Sequence, residues 1–127
     1  MDDLCRENIL DHFKHPRNFG KLNKKNIQAS DNLVSCGDEL TLELLIKNDR
    51  VSEVNFYGQG CAISVSAASM LTETIKAKKI SDLQRLNKDD ILKLLGISLT
   101  PTRLKCALLS LEILHKALQN YGIQSHG

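Results

Sequence analysis

From Glu39 to Lys47 apolar and polar residues alternate. Leu40, Leu42, Leu44 and Ile46 point one way and Thr41, Glu43 and Lys47 the other. Asn48-Asp49 supplies a turn, and Val54 and Phe56 then alternate with Glu53, Asn55 and Tyr57. The pattern predicts a β-hairpin with one apolar face, and such a face needs a cover. The second half of the chain provides it. GQGCAISVSAASMLTETIKAKK leaves the hairpin through two glycines as a small-residue helix, whose Ala62, Ala67 and Ala68 permit close packing on the sheet. Residues 81–96, SDLQRLNKDDILKLLG, carry a short helical pattern ended by Gly96. Thr100-Pro101 then gives an N-cap and a proline at the first helical position of a last helix running to about Tyr121.

On that last helix Leu104, Ala107, Leu108, Leu111, Leu114 and Leu118 form one broad apolar face. Lys105, Glu112, Lys116 and Gln119 form a narrow wet stripe. Cys106 shares the far side with Leu109, Ile113 and Ala117, which predicts a partly covered thiol near a rim. At the other end of the chain, Asp2 or Asp3 caps a first helix with Cys5, Ile9 and Phe13 on one stripe. HPRNFG closes it, since Pro16 disfavours helical geometry at His15 and Gly20 completes the turn. The polar stretch from Lys21 to Asn32 reads as a loop leading into an edge strand. Strands grouped early and helices late predict an α+β fold, with helices packed on an antiparallel sheet.

The chain has 127 residues, enough for a single domain over 1–127 that folds without disulfides or a structural metal. Seventeen Lys and Arg against fifteen Asp and Glu leave a formal charge of +2, far from a phosphate-binding footprint. Phe13, Phe19, Phe56, Tyr57 and Tyr121 make no stacking platform, so no nucleic-acid partner is expected. MDDLCRENIL lacks a basic start and a long apolar run, and no segment reaches the roughly 18 apolar residues of a membrane span. A cytoplasmic protein with no membrane association is expected. In a reducing compartment its four cysteines read as thiols or metal ligands rather than disulfides.

Three of those cysteines sit at structural joints. Cys36 lies in a Ser-Cys-Gly-Asp turn before the hairpin, Cys61 at the strand-to-helix junction, and Cys106 inside the helix begun by Pro101. A hairpin brings the start of its first strand and the end of its second to the same place, so Cys36 and Cys61 are neighbours on geometric grounds. A helix start favours a thiolate through its unsatisfied N–H groups. Gathered thiolates repel unless a cation holds them, and Asp38 is the candidate fourth ligand, because Gly37 lets the backbone bend between Cys36 and Asp38. Thiolate is a soft ligand suited to iron–sulfur chemistry or zinc, and carboxylate is harder and holds such centres less firmly. A set of three Cys and one Asp, with no CxxC pair, therefore suggests a site that gives its contents away.

Plainer readings stand beside this one. Cys5 reads as a small buried hydrophobe, and Asp38 alone could cap its own turn. His12, His15, His115 and His126 show no ligand spacing and read as surface or core-edge residues. A thiol hydrolase pairing Cys61 or Cys106 with His115 lacks an orienting acid.

The segments DHFKHPRNFG, SCGDELTLEL, FYGQGCAISVSAASM and RLKCALLSLEIL, in this order and spacing, resemble the iron–sulfur cluster assembly scaffolds of the IscU and NifU N-terminal type. The resemblance implies a three-stranded antiparallel sheet flanked by helices, with Cys36, Asp38, Cys61 and Cys106 as ligands. It implies a transient 2Fe-2S cluster built from iron and from persulfide sulfur delivered by a cysteine desulfurase, then passed to apo iron–sulfur acceptor proteins. Cys106 resembles the family's sulfur-receiving thiol, Asp38 the residue that keeps the cluster labile, and the expected state is a monomer or weak homo-oligomer. Lys105 stands where the IscU branch has histidine. LTPTRLK replaces the Leu-Pro-Pro-Val-Lys read by an Hsp70-type chaperone, which argues against that partner. Lys105, Arg103 and GQGCAIS are instead similar to the SufU branch, which binds zinc through the same four positions and relays desulfurase sulfur. The interval from Cys61 to Cys106 has no room for that branch's long insertion.

Overall fold

The computed structural model describes residues 2–34 and 37–126. Helix α1 (Asp2–Lys14) is followed by β1 (Ile27–Leu33), β2 (Asp38–Lys47) and β3 (Arg50–Gln59), and then by α2 (Ala62–Ile75), α3 (Ile80–Leu83), α4 (Lys88–Leu95) and α5 (Pro101–His126). The strands form one antiparallel sheet in the order β1-β2-β3. The α+β architecture expected from the sequence is present, and the edge strand begins at Ile27, inside the stretch read as a loop. Asn48 and Asp49 each take positive φ, 53° and 59°, as a two-residue hairpin turn requires. The register pairs Leu44 with Val54 and Glu39 with Gln59, so the start of β2 and the end of β3 lie side by side.

Leu40, Leu42, Leu44, Ile46, Val54 and Phe56 are buried beneath α2 and α5. Ala67 and Ala68 are buried in the α2 surface, small enough to let backbones approach. The opposite face of β2 is less exposed than alternation predicts. Glu43 is 1% exposed, because the 21–26 segment folds over it. Its carboxylate accepts the Leu22 N–H at 2.8 Å, pairs with Lys25 Nζ at 3.0 Å and faces the Tyr57 hydroxyl at 3.4 Å. Burial alone would raise this carboxyl; the three partners outweigh it and hold the group below its usual range.

The HPRNFG turn also does more than end a helix. Gly20 N–H donates to the Phe56 carbonyl, Phe56 N–H donates to the Asn18 carbonyl, and Phe19 meets Phe56 edge-on at 5.2 Å. The turn thereby covers the open edge of β3. The face that α1 buries is Ile9 and His12, with Cys5 half-buried and Phe13 39% exposed, which corrects the Cys5–Ile9–Phe13 stripe. His12 Nδ1 meets Ser69 Oγ at 2.7 Å, and that hydroxyl also accepts the Arg17 N–H at 2.8 Å. A histidine with such partners competes successfully for the interior.

Burial, aided by Arg17, holds the His12 imidazole below its ordinary 6.5 against the pull of Glu73 and Asp11. A depressed folded-state pKa favours the neutral ring, so the stability it contributes is complete above about pH 6.5 and is lost as pH falls towards the folded-state value. Thermal unfolding followed from pH 7.5 to 5 is expected to show this loss in the parent and a flatter profile in His12→Gln.

The pattern at 81–96 resolves into two helices. Asn87 breaks it by capping α4 in a reciprocal box with Asp90, and Gly96 ends α4 at φ 72°. Thr100 caps α5 through the Arg103 N–H, as expected, and α5 continues past Tyr121 to His126. Lys116 Nζ donates to the Ser30 carbonyl, pinning α5 along β1. Among the described residues no helix is long and apolar enough to cross a membrane.

Candidate metal centre

Asp38 opens β2 and Cys61 follows β3, so the hairpin register alone brings them together. Two glycines make the junction possible. Gly58 has φ 130°, and a Cβ there would lie 2.1 Å from the Glu39 carbonyl oxygen. At Gly60 a Cβ would lie 2.3 Å from Ser64 Oγ and 3.0 Å from Asp38 Oδ1. A side chain at Gly58 would collide with the β2 backbone, and one at Gly60 would occupy space beside the Asp38 carboxylate.

Cys61 is the N-cap of α2, with its sulfur facing the Ser64 N–H at 3.4 Å. The Asp38 carboxylate, 1% exposed, accepts the Cys61 N–H at 2.8 Å through Oδ1 and lies 3.9 Å from Cys61 Sγ through Oδ2. Cys106 arrives from the second turn of α5. Ligand atoms of Asp38, Cys61 and Cys106 all lie within 4.8 Å of one another. Sulfurs on one tetrahedral ion, bonded at about 2.3 Å, stand about 3.8 Å apart, so a small contraction would close the three around a metal. Two soft donors and one hard donor, one of them at a helix start, suit a thiophilic cation.

Cys36, the remaining candidate, lies outside the described residues. Its neighbour Gly37 takes φ 69°, the bend expected between Cys36 and Asp38. Cys106 is 1% exposed, which corrects the rim thiol expected from its helix face. The far side of α5, with Leu109, Ile113 and Ala117, is as buried as the broad face, because α5 packs against α2, α4 and the sheet together. A pocket of about 260 Å³ lined by Cys61, Thr102, Arg103 and Cys106 leads to the two thiols.

The other candidates are elsewhere. Cys5 Sγ packs against Gly96 at the end of α4, 2.6 Å from where a Cβ would stand. His12 is engaged with Ser69, and His15 is exposed. The His126 side chain lies outside the described residues. His115 follows Cys106 by nine residues, about 13 Å along α5, and lines a separate pocket with Gln84, Leu118 and Gln119. A Cys106–His115 hydrolytic pair is thereby ruled out. Ser64 adds a hydroxyl that no site motif marks; its one signal in the sequence is its place three residues after an N-cap, the spacing of a capping interaction.

The profile of the NifU-like N terminal domain matches residues 4–126. The zinc-dependent sulfurtransferase SufU of Bacillus subtilis is 37% identical, with 93% of this chain and 91% of that protein covered. That alignment spans 135 positions, more than this chain's 127 residues, so the relative holds residues with no counterpart here. The iron–sulfur cluster assembly scaffold protein IscU of Aquifex aeolicus is 38% identical, covering 91% of this chain and 74% of that protein. Among solved structures, a putative iron–sulfur cluster assembly scaffold protein for the SUF system from Fervidobacterium islandicum superposes with TM-score 0.78 at 28% identity, covering 88% and 94% of the two chains.

Proposed function

This chain belongs to the NifU-like N-terminal domain family, and on that premise we propose that it is a scaffold on which a labile iron–sulfur cluster is assembled and then handed on. The observation that carries the reading is the meeting of two thiol sulfurs and one carboxylate oxygen within 4.8 Å, contributed by residues far apart in sequence. The proposed ligands are Asp38, Cys61 and Cys106, with Cys36 as the fourth from its place in the SCGD motif. The cargo is a 2Fe-2S cluster. Its sulfur comes from a cysteine desulfurase and its destination is an apo iron–sulfur protein. We assign the whole of residues 1–127 to one such domain, working in the cytoplasm.

Cys106 receives the sulfur. Its thiolate attacks the outer sulfur of the desulfurase persulfide, a new S–S bond forms on Cys106, and the desulfurase cysteine leaves as a thiolate. Asp38 supplies the one oxygen donor, and its weaker hold on a soft cluster makes the cargo removable. The test is anaerobic reconstitution with iron, cysteine and a desulfurase. A visible chromophore that transfers to an apo-ferredoxin is expected, and a colourless protein would overturn the reading.

Asp38→Ala is expected to lengthen the lifetime of the bound cluster several-fold, read as decay of visible absorbance. It also leaves the partly buried Cys61 N–H without its 2.8 Å acceptor, so unfolding should be easier by about 1 kcal/mol. Faster cluster decay in the variant would contradict the role given to the carboxylate.

A second reading is a zinc-dependent sulfurtransferase. It is supported by the SufU similarity and by Arg103, which lines the pocket beside Cys61 and Cys106. Zinc fits the same donors and when bound supplies a charge that keeps the thiols deprotonated. Arg103 adds a cation at the pocket mouth, suited to drawing an anionic persulfide towards Cys106. Near-stoichiometric zinc in the purified protein together with stimulated desulfurase turnover would favour this reading over cluster assembly.

A further inference from the structure

We infer that Ser64 is a positioning residue whose hydroxyl hydrogen-bonds the Cys61 sulfur when that sulfur ligates a metal, tuning how tightly the cargo is held and how easily it is reduced. The inference rests on Cys61 being a ligand, as proposed above. Ser64 is fully buried, with Oγ 3.6 Å from Cys61 Sγ and 3.2 Å from the Cys61 carbonyl oxygen. One hydroxyl proton therefore has two acceptors in reach. While Cys61 is a thiol its sulfur is a poor acceptor, and the carbonyl takes the proton. Once Cys61 ligates a metal its sulfur bears no proton and carries negative charge, and it becomes the stronger of the two. The Ser64 N–H already faces the same sulfur at 3.4 Å, so the hydroxyl adds a second donor to one ligand atom.

Two further observations set Ser64 apart. Other hydroxyls of α2 are committed elsewhere: Ser66 donates to the Ala62 and Ile63 carbonyls, Thr72 to the Ser69 carbonyl, and Ser69 serves His12 and Arg17. Gly60, for its part, is the residue whose missing Cβ admits the Ser64 oxygen, since any side chain there would meet it at 2.3 Å. The chain thus keeps both a donor and the space for it beside one candidate ligand. Hydrogen bonds to ligand sulfur draw off charge, which lowers the energy of the sulfur lone pairs and eases reduction of the metal they bind.

The test uses the full chain loaded with cobalt(II) and, separately, with a reconstituted cluster. Ser64→Ala is expected to move the thiolate-to-cobalt charge-transfer band to lower energy and to shift the cluster's reduction potential downward. Ser64→Thr, which keeps the hydroxyl, should stay with the parent on both measures. A Ser64→Ala protein with parent-like band and potential, changed only in thermal stability, would reduce Ser64 to a helix cap and overturn the inference. A parent that gives no thiolate band with cobalt would overturn the metal site itself, and this inference with it, so the two failures are distinguishable.

Discussion

Cys106→Ser protein is expected to accept no sulfur from a desulfurase persulfide, a loss on the order of a hundredfold or more in transfer rate. The exchange needs a thiolate, and a serine hydroxyl at neutral pH offers no comparable nucleophile. The substitution is nearly isosteric, and Cys106 sits on a well-packed helix among Leu109, Ile113 and the residues of α2, so the fold should survive. Mass spectrometry after incubation with desulfurase and cysteine reads the outcome directly. The parent should gain sulfur on the peptide containing Cys106, Cys5→Ser should behave as the parent, and Cys106→Ser should remain unmodified. Sulfur retained by the Cys106→Ser protein at parental rate would place the acceptor elsewhere, with Cys61 the next in reach.

Gly58→Ala is expected to lower stability by about 3 kcal/mol or more, the combined effect of strained backbone and overpacking. The new Cβ would lie 2.1 Å from the Glu39 carbonyl oxygen and 3.1 Å from the Leu40 Cα, and these are backbone atoms that cannot swing aside. The positive φ of 130° penalises alanine independently of space. Relief would require β2 and β3 to part where Leu40 faces Gly58, immediately beside Asp38. Metal affinity should therefore fall along with stability, seen as a midpoint lower by roughly 10 °C in thermal unfolding and a weaker cobalt titration. Gly122→Ala, with nothing within 4 Å of its Cβ, is the control and should lose no stability. A Gly58→Ala protein as stable as the parent would mean that the hairpin end is looser than the close approach at Gly58 indicates.

Much of this molecule follows from local chemistry. The β2–β3 hairpin is legible because alternation has a period of two and a turn needs only two residues able to take positive φ. The end of α4 and the start of α5 are legible because Gly96, Thr100 and Pro101 act on their own backbone. Hairpin closure alone brings the start of β2 beside the end of β3; on that ground the sequence places Cys36 next to Cys61, and the structure finds Asp38 there, with Cys36 outside the described residues. The α4 start was hidden, since the apolar spacing runs through Leu86 while the break comes from the side chain of Asn87 folding back on its own helix.

Which surfaces end up inside was a different matter. Glu43 alternates like a solvent-facing residue and is buried because a segment about twenty residues upstream brings Leu22 and Lys25 to its carboxylate. His12 rather than Phe13 turns inward because Ser69, on another helix, offers it a hydrogen bond. Helix α5 carries two apolar sides, and a periodic pattern cannot say whether one or both will be covered. Packing against the sheet, α2 and α4 together decides it, takes Cys106 from a rim to the interior, and sets its sulfur beside Asp38 and Cys61. By itself the sequence determined the hairpin, the end of α4, the start of α5 and the closeness of the β2 start to the β3 end, because each depends on a few adjacent residues. Only the tertiary structure decided where the Cys106 sulfur lies, because that depends on how three independently formed elements bury their shared apolar surface.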